Sequence, residues 1–309
     1  MTSGLLLVDK PEGLTSHDVV ARARRWAGTR RVGHAGTLDP MATGLLILGI
    51  DSATKLLTFL VGETKTYITT IRLGASTITD DREGEITEYA PSAAMTALGA
   101  GDALRAKLEA ALGGLRGEIM QVPSSVSAIK VDGQRAYAKV RSGDEVKLAA
   151  RPITISRFEI LGDPRHEQAY GHDFIDFDAI IDCSSGTYIR ALARDLGSAL
   201  GVGGHLTALR RTRIGSYSIA QAHTADGLQE LAAGELPIMP AAAAAREQFA
   251  ARELTAQEVI DLRHGKRIRS NGETAEPIAA FAPDGALIAM LTRSGKDLKS
   301  LVVFNEVNE

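Results

Sequence analysis

The sequence predicts an α+β protein that closes on a small β-rich C-terminal part. Three observations predict it. Strand-like apolar runs and amphipathic helical stretches are interspersed along the chain, with no internal repeat at a fixed period. Hydrophobic residues make up 44% of the 309 residues and charged ones 24%, which supplies core for roughly two domains and excludes a mainly disordered chain. A composition shift at Pro237, Pro240 and the alanine run Ala241–Ala245 sets off a tail with its own helix and short strands. The expected domains are therefore residues 1–245 and 246–309.

Each element has a local reason. Leu5–Val8 is an apolar run ended by Lys10-Pro11 and Gly13, a core strand and a turn. Thr15 precedes Asp18 by three residues, a capping-box pattern, and Val19, Val20, Ala23 and Trp26 form the apolar stripe of the helix that follows. Glycine-rich sequence runs from Val32 to Gly44, and Leu45–Ile50 then reads as a buried strand. Lys65–Leu73, rich in Tyr, Ile and Thr, is a further strand. Leu104–Leu112 is an amphipathic helix stopped by Gly113-Gly114. The polar stretch 124–150 lacks a sustained period and reads as a surface insertion of the kind that carries function. Phe174–Cys183 alternates as a strand, and Ile189–Leu200 is a helix closed by Gly201. In the tail, Thr255 and Glu258 make a second capping box, Gly265 ends that helix, and strands fall at Pro277–Phe281, Ala286–Leu291 and Leu301–Phe304.

Composition excludes several classes. A single cysteine, Cys183, forbids an internal disulfide and any multi-cysteine zinc site, and points to a reducing, cytoplasmic setting. The start of the chain predicts no secretory leader, and no apolar stretch approaches a membrane span. No phosphate-loop or dinucleotide fingerprint is present. The net charge of −3 leans against a nucleic-acid partner until its distribution is read. From Asp18 to Asp39 there is no acid between, while Arg22, Arg24, Arg25, Arg30 and Arg31 give +5. From Asp195 to Asp226 there is again none, while Arg210, Arg211 and Arg213 give +3. Thr79–Glu88 carries −4 and Gly162–Asp182 carries −5. Two basic runs, each beside a glycine-rich segment, predict a surface that tracks phosphates.

Two segments are candidates for chemistry. Gly33 to Gly44, with His34 and Asp39-Pro40, sets one carboxylate among three glycines and a proline, a tight loop that lets a partner approach the backbone. The simpler alternative is a glycine-rich turn with Asp39 as its cap. Cys183 to Arg190 lies at a strand-to-helix junction and sets Arg190 in the first helical turn. A cation there meets an unfavourable dipole, so a carboxylate partner is expected. Cys183 itself reads as a small core residue.

These segments resemble the pseudouridine synthases of the TruB type. The loop Gly33–Gly44 looks like that family's catalytic signature, and further matches follow in order along residues 4–215. They are Asp9-Lys10-Pro11 with Gly13 and Thr15-Ser16, then Lys65-Thr66-Tyr67, then Pro123-Ser124 with Ser127-Ala128 and Lys130. Ser184–Arg190 and Leu209-Arg210-Arg211-Thr212 complete the set. Leu254 to about Val303 more loosely resembles a PUA RNA-binding domain. Ser185 departs from the pattern, standing where many relatives carry lysine.

The resemblance implies a pseudouridine synthase fold around a mixed, largely antiparallel sheet, with an RNA-clasping insertion at about 124–150 and a PUA-like C-terminal domain. It implies isomerisation of uridine 55 in the T loop of tRNA, with no cofactor and no metal, by a monomer that needs no membrane and no obligate protein partner. Asp39 is implied as the nucleophile. Arg190 would hold its charge, and Tyr67 would stack on the uracil and take part in catalysis. His34 would meet RNA beside the flipped nucleotide, and Tyr188 and Leu209 would line the uracil pocket. Arg22, Arg25, Arg30, Arg31, Lys130, Arg210 and Arg211 are the expected contacts to the RNA backbone. Two rivals are a non-catalytic RNA-binding protein on the same scaffold and a glycoside hydrolase using Asp39. The first does not need Asp39, Tyr67 and Arg190 together; the second lacks an identifiable second carboxylate.

Overall fold

The structure, a computed structural model, describes residues 3–124, 130–131, 134–135, 148–231 and 234–304. The chain forms two compact units, residues 1–63 with 213–309 and residues 64–212. The first unit opens with β1 (Gly4–Lys10), α1 (Ser16–Trp26), β2 (Val32–Ala35) and β3 (Thr43–Ile50). β1 runs antiparallel to β3, from Gly4 opposite Ile50 to Lys10 opposite Gly44. β2 folds back on the same strand, with Ala35 opposite Ile47. Gly44 to Ile50 are all buried, as a continuous apolar run requires of a strand covered on both faces. The capping box at α1 is present in full, Thr15 accepting from the Asp18 N–H while the Asp18 carboxylate accepts from the Thr15 N–H. Val19, Val20 and Ala23 are the buried stripe of α1.

The second unit contains β4 (Lys65–Leu73), β5 (Ala75–Thr77) and β6 (Ile86–Tyr89), then α2 (Ser92–Leu98) and α3 (Gly101–Gly113). It continues with β7 (Gly117–Gln121), β8 (Arg151–Ala169), β9 (His172–Cys183), α4 (Ile189–Leu200) and β10 (Gly204–Ile214). Its sheet has the order β10-β4-β9-β8-β7, with β4/β9, β9/β8 and β8/β7 antiparallel. The acidic run of β9 is not a solvated face. Asp176, Asp178 and Asp182 stand directly opposite Arg72, Thr70 and Thr66 on β4, and each accepts a hydrogen bond from that partner. α4 ends at Gly201 in the left-handed conformation, φ +71. Gly197, on the same helix, lies so close to the Gly203–Gly204 backbone that a Cβ would sit 2.1 Å from the Gly203 carbonyl carbon. That contact seats α4 against the start of β10.

The first unit resumes after β10. Short pairings at His223–Thr224 (parallel) and Met239–Pro240 (antiparallel) flank β1, so the sheet is mixed as expected. The alanine run, expected to mark a boundary, folds as helix α5 (Ala241–Gln248). The tail follows with β11 (Ala250–Glu253), α6 (Ala256–Arg263), β12 (Ile268–Arg269), β13 (Ile278–Phe281), β14 (Leu287–Ser294) and β15 (Asp297–Val303). They form one five-stranded sheet, β11-β13-β14-β15-β12, with β11/β13 parallel and the other pairs antiparallel. One face of this sheet has its own core around Leu262, Ile278, Ile288 and Leu298. The other face, through Ala279, Phe281, Met290 and Phe304, joins a single core with Leu5, Leu7, Leu45 and Ile47. Among the described residues no helix is long and apolar enough to cross a membrane.

Candidate active site

The loop that carries Asp39 is the connection of the β2–β3 hairpin, narrower than the glycine-rich sequence suggests. Gly33 to Ala35 and Thr43-Gly44 are already strand, so the irregular part is Gly36 to Ala42. Gly36 adopts φ +82, which only glycine takes without strain. The Asp39 main-chain carbonyl closes a turn by accepting from the Ala42 N–H at 3.1 Å, and the residue is half-buried.

Both neighbours of Asp39 are gripped by the Lys10–Ser16 segment. On one side, Ser16 Oγ accepts from the Leu38 N–H at 2.9 Å and donates to the Leu38 carbonyl at 3.2 Å. On the other, the Pro40 carbonyl accepts from the Gly13 N–H at 2.9 Å and from Lys10 Nζ at 3.3 Å. Lys10 is 0% exposed, and its ammonium also donates to the carbonyls of Pro11 (2.9 Å) and Leu14 (2.6 Å). A buried cation needs such acceptors, and here they tie the turn after β1 to the loop after β2. His34 meets His17 of α1 edge to face, ring centroids 5.5 Å apart at 82°.

Tyr67, Leu209, Tyr188 and Arg190 belong to the second unit. Tyr67 on β4 is 7% exposed, and Leu209 lies on the adjoining strand β10, which Thr69 Oγ1 bridges to β4 through the Ala208 carbonyl at 2.6 Å. Tyr188 is the residue before α4. Arg190 is buried and pairs with a carboxylate of its own unit: its Nη1 lies 3.3 Å from Asp81 Oδ2 and donates to the Thr79 carbonyl at 2.8 Å. The other oxygen of Asp81 accepts from Thr79 Oγ1 at 2.5 Å and from the Glu83 N–H at 3.0 Å. One helical turn further on, Arg194 pairs with Asp80 at 3.2 Å, so two consecutive aspartates meet two arginines spaced i, i+4. Burial pushes the Asp80 carboxyl above its ordinary value, and Arg194 works against that rise. Cys183 is a buried free thiol pushed up to about 11 by burial, as a core residue should be.

Among the expected backbone contacts, Arg25, Arg30 and Arg31 are exposed on and after α1, and Arg22 and Arg210 are half-buried. Arg211 corrects the expectation. It is 1% exposed, on the same inward face of β10 as Leu209 two residues earlier, and its guanidinium has no surface to offer a phosphate. The Lys130 side chain and most of the 124–150 insertion lie outside the described residues. Among the described residues no cluster of three or more His, Cys, Asp or Glu could hold a metal ion.

Sequence reasoning missed three positions that hold the candidate site residues in place. Lys10 and Ser16 sit in the opening motif, but nothing in the sequence shows that they hold the Asp39 loop. Asp81 was legible only as part of an acidic run.

The fold is that of a pseudouridine synthase. It is shared with a structure of an H/ACA RNP bound to a substrate RNA containing 2′-deoxyuridine, at TM-score 0.66 and 21% identity over 98% of this chain and 85% of that chain. A crystal structure of an archaeal box H/ACA sRNP complex gives TM-score 0.66 at 23% identity, covering 97% of this chain and 85% of that one. Residues 24–189 match the family described as "TruB family pseudouridylate synthase (N terminal domain)". Residues 190–236 match "tRNA pseudouridylate synthase B C-terminal domain" and 249–305 match "tRNA Pseudouridine synthase II, C terminal". Proteins named tRNA pseudouridine synthase B are 55% identical in Arthrobacter sp. (strain FB24), over 100% of this chain and 99% of the relative. The relative of that name in Leifsonia xyli subsp. xyli is 54% identical over 98% of this chain and 96% of its own length. The chain belongs to the TruB family of pseudouridylate synthases, enzymes of the isomerase class.

Proposed function

We propose that this protein converts uridine 55 in the T loop of tRNA to pseudouridine, with Asp39 as nucleophile and the target base flipped out of its stack. The observation that carries the reading is the two-sided grip on Asp39. A loop held at Leu38 by Ser16 and at Pro40 by Lys10 and Gly13 is built to present one carboxylate in one place. The reaction breaks the bond from C1′ to N1, turns the base, and joins C1′ to C5. The C5 proton is lost and N1 gains one, so nothing is oxidised or reduced and no external group is transferred. An ionised carboxylate is the minimum tool for that sequence.

Other roles follow the same reading. Arg190 holds the carboxylate charged and oriented, Tyr67 stacks on the uracil, Tyr188 and Leu209 wall its pocket, and His34 meets the RNA where the base has left. Arg22, Arg25, Arg30, Arg31, Lys130 and Arg210 supply phosphate contacts. The catalytic domain spans residues 1–245 with its insertion, and 246–309 is the PUA-like RNA-binding domain. The protein works in the cytoplasm as a monomer. Support for tRNA as the substrate comes from relatives named tRNA pseudouridine synthase B that align over essentially the whole chain.

The test is to incubate the protein with unmodified tRNA transcript and map pseudouridine by position. Conversion at position 55 is expected, and conversion outside the T loop overturns the substrate assignment. Asp39→Asn should abolish turnover while leaving tRNA affinity within a few-fold; substantial residual turnover overturns the nucleophile.

A further inference from the structure

β7 ends in an alternation of faces. Met120 and Val122 are exposed, while Gln121 between them is 2% exposed. The buried carboxamide turns towards α4 and bonds the main chain of one residue twice. The Tyr188 N–H donates to Gln121 Oε1 at 2.9 Å, and Gln121 Nε2 donates to the Tyr188 carbonyl at 3.0 Å. Tyr188 is the N-cap of α4 at φ −101 and ψ 104, and no side chain caps this helix. Its carbonyl also accepts the Leu192 N–H at 3.3 Å, so Gln121 shares the acceptor that begins the helix. The next residue continues the attachment: the Val122 carbonyl accepts from Arg194 Nη2 at 2.7 Å. Two consecutive residues at the root of the 124–150 segment are thus bonded to the two ends of the stretch Tyr188–Arg194, with Arg190 between them.

We propose that Gln121 is a positioning residue for the uracil pocket. By holding both peptide planes of Tyr188, it sets the direction in which the ring leaves the backbone and the start of the helix that carries Arg190. An amide suits this task because it offers a donor and an acceptor side by side, matched to the N–H and C=O of one residue. The inference rests on the reading of Tyr188 as a wall of the uracil pocket. A displacement of about 1 Å at a group that places substrate costs on the order of 100-fold in rate, so the loss of both bonds should be felt in the chemical step.

The experiment compares wild type, Gln121→Met and Leu98→Ala on the same tRNA transcript. Methionine keeps the length of the side chain and removes both hydrogen bonds; Leu98→Ala loosens the same unit at α2 and touches neither bond. Measured are the single-turnover rate, the tRNA dissociation constant, the thermal midpoint and hydrogen exchange at the Tyr188 amide. The expected result is a rate at least tenfold lower in Gln121→Met, with tRNA affinity within threefold and faster exchange at Tyr188. A rate within twofold of wild type overturns the proposal, as does an equal loss in Leu98→Ala at equal thermal midpoint. Should Gln121→Met fold poorly, Gln121→Asn decides: it keeps the amide but falls one methylene short of the Tyr188 main chain. A slowed rate at unchanged affinity supports the role, and a wild-type rate overturns it. Wild-type turnover of the transcript tests the underlying reading separately, before any variant is compared.

Discussion

Ser16 holds Leu38 by both polar atoms of its main chain, through a single buried hydroxyl that accepts at 2.9 Å and donates at 3.2 Å. α1 thereby grips the residue before Asp39 from its first turn. Ser16→Ala leaves a buried N–H and C=O without that partner, which costs about 1–3 kcal/mol. The expected outcome is a lower thermal midpoint together with a larger loss in single-turnover rate than in tRNA affinity, because the loop that presents Asp39 is freed. Thermal unfolding and quenched turnover on tRNA transcript check it.

The buried pair of Arg190 and Asp81 gives a second prediction. Removing one member of such a pair strands the other charge away from water, at about 3–5 kcal/mol. Asp81→Ala should therefore destabilise the protein and lower turnover, since it removes the carboxylate 3.3 Å from the Arg190 guanidinium. Arg190→Lys keeps the charge but replaces the planar guanidinium, whose Nη1 meets both Asp81 and the Thr79 carbonyl, and should lose most activity. Denaturant unfolding and turnover assays of both variants give the readout.

His205 predicts an acid limit to stability. Burial holds its imidazole below the usual value of 6.5, and its Nδ1 sits 3.0 Å from the Ala75 carbonyl. Unfolding releases a ring that takes up a proton more readily, so the unfolded state binds more protons below that value. The contribution of His205 is fully present above pH 6.5 and is lost as the pH falls through its folded value. His205→Gln should flatten the fall in unfolding midpoint between pH 7 and pH 5, measured by thermal melts across that range.

Cys183 predicts the opposite limit. Its thiol is pushed up to about 11 by burial, above the ordinary 9.0, so the folded state holds the proton that the unfolded state gives up. Stability from this group is present below pH 9 and declines as the pH rises towards 11. At pH 8 the native protein should resist a thiol reagent over hours and react at once in denaturant, since the thiolate is the reactive form. A colorimetric thiol assay with and without denaturant decides it.

Local rules carried the sequence reading furthest. Thr15 with Asp18 and Thr255 with Glu258 were legible because a capping box lies within four residues, and both are formed. The bounds of Lys65–Leu73 and Ile189–Leu200 were legible because β-branched clustering and a terminal glycine act locally. The 19-residue strand Arg151–Ala169 was not, because its distal half is exposed and its register breaks at two irregularities, leaving no sustained alternation. The candidate site was legible only where a motif singles out a residue, as for Asp39 and Arg190. It was illegible where two distant segments meet, as at Lys10 and Pro40, Asp81 and Arg190, or Gln121 and Tyr188. Arg211 was misjudged for a related reason: charge composition says how many cations a run has, but the strand's alternation decides which of them face water.

The core that Phe281, Met290 and Phe304 share with Leu5, Leu7 and Ile47 has a consequence for the protein as a heritable object. A cut at residue 245, between the two proposed domains, would divide that core. The inner face of the C-terminal sheet is the missing wall of the strand that delivers Lys10 to the Asp39 loop. A stop codon there would bare that wall and leave a chain prone to self-association. Substitutions at Phe281 should therefore be felt at β1, through Leu5 and Leu7 of the same core.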